Sequence, residues 1–166
     1  MSSHWDIHLS DFDSIIDSVI ESEGGYINDK IDPGGETKYG ISKRAYPDVD
    51  IKNLTKDGAK AIYFSDYWHR AKVAKIPARL REIFFDMCVN FGITGATRVL
   101  QKACNGKNKK DIVVDGKIGR KTISASKNVE LDRLRSYRVL RFAQIVFKNP
   151  TMEKFWYGWY RRAVRV

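Results

Sequence analysis

The sequence predicts a mainly α fold with one small β-hairpin lobe after the first helix. Three observations point there. Apolar residues recur at three- and four-residue spacing through most of the chain. The one stretch that breaks this rhythm, Tyr26 to Ile41, is crowded with glycine and turn formers around Asp32-Pro33-Gly34-Gly35. No long β run, fixed-period repeat or low-complexity linker occurs elsewhere.

Each element can be justified in order. Phe12, Ile15, Ile16, Val19 and Ile20 place an amphipathic helix over 11–23, with Ser10 as N-cap and Asp11 and Asp13 at its positive end. Gly24-Gly25 can end it, because glycine accepts the left-handed backbone found there. A second helix starts after Thr55 and carries Ala59, Ile62 and Tyr63 towards Tyr67-Trp68. A third carries Leu80, Ile83, Phe84, Met87, Cys88 and Phe91. Gly92 and Gly95 punctuate before Ala96, Val99, Leu100 and Ala103 continue the period. The basic run 105–110 reads as a loop and Val114-Asp115-Gly116 as a turn, followed by helices over 119–127, 129–148 and 152–164. The last has Met152, Phe155, Trp156, Trp159, Tyr160 and Ala163 on one face, a pattern expected of core packing.

With 166 residues, 43% of them hydrophobic, the chain can bury a proper core, and no apolar stretch reaches the uninterrupted length of a membrane span. Cys88 and Cys104 fall on apolar stripes, as expected of buried free thiols. His4, His8 and His69 lack metal-ligand spacing, and no phosphate loop is present, so no metal or cofactor is expected. Charge is uneven. Residues 1–97 hold 12 Lys+Arg against 15 Asp+Glu, and residues 98–166 hold 18 against 5. A half-chain at +13 points to a polyanionic partner, either nucleic acid or an anionic surface such as a bacterial envelope.

The chemistry concentrates in ESEGGY, Glu21–Tyr26. On a helical wheel Glu23 extends the apolar stripe, being three and four residues beyond Ile20 and Val19, whereas Glu21 projects with Asp17 and Ser14 on the polar side. A carboxyl on the interior side, at the negative end of a helix, favours its neutral form. A neutral acid is what glycosidic cleavage requires, because the leaving oxygen must be protonated. A structural alternative is a glutamate that caps backbone or pairs with an arginine.

EGGYIND, DPGGETKYGIS, the Asp66-Tyr67-Trp68 triplet, Asn90-Phe91-Gly92 and Leu100-Gln101 occur in that order. This ordered set resembles the glycoside hydrolase family 108 muramidases, which include phage endolysins and related bacterial proteins, from about Phe12 to Trp159. The resemblance implies a lysozyme-like fold and hydrolysis of the β-1,4 bond after N-acetylmuramic acid in peptidoglycan, with Glu23 as the catalytic acid. It divides the chain into a catalytic region, 1–96, and a helical predicted peptidoglycan-binding region, 97–166, carried by LQKA at Leu100–Ala103 and VDGKIGRKT at Val114–Thr122. In that second motif Gly119 is expected to allow close packing.

The order Glu23, Asp32, Thr37 further resembles the acid–Asp–Thr set of the tailed-phage lysozymes, with the threonine spacing one residue shorter. Asp32 or Thr37 would then position the attacking water. Glu36 competes as a carboxylate, and Asp32 is also a natural turn former. Tyr26, Tyr39, Trp68 and Asn90 are the candidate substrate-binding residues, with core packing as the alternative for the aromatics. The expected partner is bacterial peptidoglycan, with no nucleic acid, no integral membrane segment and a monomeric state. The N-terminus lacks the basic and apolar regions of a Sec signal, which predicts synthesis in the cytoplasm and action at the wall after holin-type release or dedicated export. A lytic transglycosylase and a non-enzymatic wall-binding or secretion accessory protein remain the alternatives. A nucleic-acid binder would account for the charge but leaves Glu23 and the glycine-rich loop without a role.

Overall fold

The stripe Phe12, Ile15, Ile16, Val19 and Ile20 is buried as its spacing requires, with Ile16 fully enclosed. It belongs to helix α1, His4–Glu23, in a computed structural model that describes residues 4–28, 35–109 and 111–166. The helix begins at His4, so Ser10 lies inside it and is not its N-cap. No glycine or proline stands between His4 and Asp11 to stop the helix from extending towards the N-terminus.

Two compact units are formed, residues 1–68 and 69–166. In the first, α1 is followed by a three-stranded antiparallel sheet of β1 (Ile27–Asn28), β2 (Glu36–Lys38) and β3 (Ile41–Ser42) in the order β1-β2-β3. Thr37 occupies the central strand, opposite Ile27 on one side and Ser42 on the other. Tyr39 (φ 53°) and Gly40 (φ 78°) both have positive φ and join β2 to β3, as a two-residue hairpin turn of primed type demands. Helix α2, Lys56–Tyr63, starts where the sequence places it, with the Thr55 hydroxyl accepting from the Gly58 N–H at 3.0 Å. Asp17 of α1 pairs with Lys56 and Lys60 of α2 at 2.9 and 3.0 Å. A π-helical turn, Phe64–His69, follows, and Phe64 and Trp68 meet the Phe12 ring edge-on at 5.1 and 5.4 Å.

The second unit is built around α3, Ala78–Asn105. By length and composition it could cross a membrane, but its apolar residues from Leu80 to Cys104 are spent on the interior of the unit. Gly92 interrupts it with φ 74° and ψ 160°, a conformation that a residue with a β-carbon resists. Helices α4 (Arg120–Ser126), α5 (Leu131–Lys148) and α6 (Trp156–Arg165) complete the unit, with α3 packed against α4 and α5, and α5 against α6. Asp86 on α3 binds Arg138 of α5 and Arg162 of α6, the last through Nη2 at 2.8 Å. Arg138 is fully enclosed, so deleting one partner of this cluster would strand a buried charge, typically at about 3–5 kcal/mol. Cys88 and Cys104 are free, buried thiols, as their stripe positions predict, and burial pushes the Cys104 thiol up to about 11.

Two sequence expectations for this unit are corrected. Residues Pro150–Phe155 form a 3-10 helix ahead of α6, so Met152 and Phe155 do not continue the α6 stripe in phase. Only Ala163 of that stripe is buried, while Phe155 and Tyr160 are each 45% exposed. The ring of Trp159 stacks on Phe142 of α5 at 5.2 Å, and Met152, Trp156 and Trp159 are half-buried. The second correction concerns glycine. It is Gly116, with φ 78°, that needs to lack a side chain, since a β-carbon there would lie 2.7 Å from Thr94 Cγ2. Around Gly119 there is open space.

Candidate active site

Glu23 is the last residue of α1 and is partly exposed, whereas Glu21 is exposed, so the two carboxylates divide as the helical wheel requires. Gly24 follows with φ 82°, the left-handed geometry that lets the chain leave the helix abruptly. The Glu23 side chain lies against the Tyr39-Gly40 turn. A β-carbon on Gly40 would sit 3.1 Å from both Cβ and Cγ of Glu23 and would collide with Tyr63 Oη. Tyr63 is almost wholly buried and donates its hydroxyl hydrogen to the Tyr39 carbonyl at 2.9 Å. One hairpin turn is thus pinned by α2 and borders the acid at the end of α1.

Thr37 is half-buried on β2, two residues before that turn. Its neighbour Glu36 accepts a hydrogen bond from the Tyr26 hydroxyl at 2.7 Å, and this carboxylate pushes the Tyr26 phenol above its ordinary value. Tyr26 is 41% exposed and presents a ring to solvent. Tyr39 is half-buried, with Lys38 Nζ 5.6 Å from its ring centroid and hydrogen-bonded to the Lys52 carbonyl. Asp32 lies outside the described residues. In the second unit Asn90 is exposed on α3, two residues before the Gly92 break.

Trp68 requires a correction as a sugar-stacking wall. It is 2% exposed and packs on Phe12, so its ring offers no free face, and core packing is the reading its burial supports. Asp66 of the same triplet accepts the Tyr46 hydroxyl at 2.8 Å, anchoring the loop after β3 to the π-helical turn. Sequence reasoning overlooked Gly40 and treated Tyr63 only as part of an apolar stripe. The available signal was Gly40 alone, which suits positive φ at the second turn position, whereas Tyr39 at φ 53° is a residue type that rarely adopts it.

The Leu-Gln motif has a resolved role. Gln101, 1% exposed, donates from Nε2 to Asp115 Oδ1 (2.8 Å), Thr122 Oγ1 (3.1 Å) and the Lys117 carbonyl (3.3 Å), and its Oε1 accepts the Gly116 N–H at 2.9 Å. Gln101 of LQKA and Asp115, Gly116 and Thr122 of VDGKIGRKT therefore serve each other and complete the fold of this unit.

Residues 16–92 match the family described as Glycosyl hydrolase 108, and residues 95–164 match the one described as Predicted Peptidoglycan domain. No curated protein matched. Among solved structures the chain is similar to SagA of Brucella abortus, with 30% identity, a TM-score of 0.74, and coverage of 93% of this chain and 90% of that one. The mainly helical architecture with a small sheet after α1 is accordingly the lysozyme-like fold expected from the sequence. Family, fold and the bipartite match agree: the chain belongs to glycosyl hydrolase family 108, a glycosidase with a C-terminal predicted peptidoglycan domain.

Proposed function

We propose that the protein is an N-acetylmuramidase that hydrolyses the β-1,4 bond between N-acetylmuramic acid and N-acetylglucosamine, with Glu23 as general acid. The observation that carries this reading is the position of Glu23, at the end of α1 and against the Tyr39-Gly40 turn, in a chain of this glycosidase family. In the reaction Glu23 gives its proton to the glycosidic oxygen as the bond from C1 to that oxygen breaks. Water adds its oxygen to C1 from the opposite face and passes a proton to a base. Asp32 or Thr37 positions that water, so the first-formed sugar has inverted configuration. Tyr26 and Tyr39, on the same unit as Glu23, bind the sugar chain.

Mass spectrometry of sugars released from purified peptidoglycan tests the reading. Reducing muramic acid ends are expected; anhydro ends would make the protein a transglycosylase, and no release would make it a binder. NMR of the first anomer formed tests inversion, and Asp32→Asn or Thr37→Val should slow turnover with little change in melting temperature.

An endolysin role is part of the same proposal, supported by membership of a family that includes phage endolysins beside related bacterial proteins and by the cationic C-terminal half. The protein is made in the cytoplasm and acts as a monomer once a holin-type lesion or an exporter gives it access to the wall. Co-expression with a holin should lyse cells, and lysis to the same extent without one would overturn this.

A further inference from the structure

Helices α3 and α5 flank an open surface cleft of about 110 Å³ whose walls are two stripes at three- and four-residue spacing, with Arg98, Lys102 and Leu140 exposed to solvent. Arg98 and Lys102 of α3 face Tyr137, Arg141 and Gln144 of α5, while Val99 and Leu140 add apolar wall. The charge pattern is the informative part. Three cations share one small cleft, no carboxylate lines it, and among the described residues none of the three makes an ion pair. Like charges gathered around a cavity repel one another. Four arginines of this unit are matched elsewhere: Arg133 with Glu130, Arg135 with Asp132, Arg138 and Arg162 with Asp86. The cleft is left with positive charge to spend on a ligand.

We propose that this cleft binds the free carboxylates of the peptide stems of peptidoglycan. The proposal rests on the peptidoglycan reading above and deepens it by naming the site and the chemical group. Two of the three cations are arginines, whose planar forks match a carboxylate through paired hydrogen bonds. Gln144 and the Tyr137 hydroxyl can serve the adjoining amide, and Val99 and Leu140 the aliphatic arm of a residue. A cavity this size is well below the several hundred Å³ of pockets that enclose whole small ligands, so it suits one acidic chain end better than a pair of sugar rings. All the residues named lie inside the 95–164 match to the predicted peptidoglycan domain. None of them makes a hydrogen bond of the Gln101 network, although Arg98 Nε lies close beside Gly116 at its edge.

The test is an NMR titration of the full-length protein with a soluble stem tetrapeptide. Parallel titrations use the same peptide with its carboxylates amidated, and inorganic phosphate. The free peptide should shift the Arg98 and Arg141 side-chain signals, and both other probes should bind at least about tenfold more weakly, as loss of one charged hydrogen-bonded contact implies. Arg98→Gln with Arg141→Gln should remove the response. Leu140→Asp, at a position 48% exposed, gives a second and gentler variant that sets a competing carboxylate in the cleft, and should weaken binding as well. Phosphate binding as tight as the peptide, shifts confined to other residues, or folded variants that bind like wild type would each overturn the assignment. The release of muramic acid ends by the wild type is scored separately, so failure of the enzymatic reading and failure of stem binding are told apart.

Discussion

At the scale of the residue, the proposed function hangs on one carboxylate and one missing side chain. Glu23→Gln preserves shape and removes the transferable proton, so turnover on cell walls should fall by about 10²–10⁴-fold, whereas exposed Glu21→Gln should stay near wild type. Turbidity clearance by the two folded variants checks this directly, and a fully active Glu23→Gln protein would remove the assignment. Gly40 is the second case. Alanine there meets both a positive φ and the side chains of Tyr63 and Glu23, so Gly40→Ala should cost more than about 1 kcal/mol and displace the acid. Gly25→Ala is the control, since nothing lies within 4 Å and no positive φ is required. Chemical denaturation and activity measured on the pair should separate them.

At the scale of the element, side-chain networks decide how helices and turns are joined. Gln101→Leu keeps volume roughly constant but leaves the Gly116 N–H and the groups around Thr122 without their partner. A loss of about 2–4 kcal/mol in unfolding free energy is expected, because buried polar groups are deprived of hydrogen bonds. Urea melts measure it. The start of α5 offers a pH-dependent case. Glu130 is held by Arg133 and then by Lys107, which brings its carboxyl down to about 2. A depressed folded-state value means that this link stabilises above the ordinary carboxylate pKa and is lost as pH falls towards 2. A Glu130 carboxyl titration by NMR should show the low midpoint, and Arg133→Ala should raise it.

At the scale of the whole molecule, charge asymmetry is the feature we propose brings the protein to its substrate. Residues 98–166 carry 18 Lys+Arg against 5 Asp+Glu, enough to hold the chain on an anionic envelope through long-range attraction. Salt shortens the reach of that attraction to about 8 Å at physiological ionic strength and about 3 Å at 1 M. Retention on sacculi of a Glu23→Gln protein should therefore weaken steeply as salt rises. A pull-down that does not change with ionic strength would rule out charge as the cause.

What the sequence determined by itself was local. The α1 stripe, the Thr55 cap, the Gly92 interruption, the buried cysteines and the inward side for Glu23 all follow from spacing within a turn or two of helix. Tertiary structure alone decided the rest, because each remaining question depends on groups far apart in the chain. Trp68 could have been a wall or a core residue until Phe12, 56 positions away, was found against its ring. The sequence motif singled out Gly119 for close packing, but it is Gly116 that meets Thr94 and Arg98, which come from helix α3. The C-terminal aromatics keep an amphipathic period, yet α5 covers only part of them. The same holds for the cationic cleft, whose two half-sites lie on helices 26 residues apart and acquire a meaning only when packing sets them face to face. Periodicity fixes which side a residue occupies on its own helix, but the partner across the gap comes from the fold.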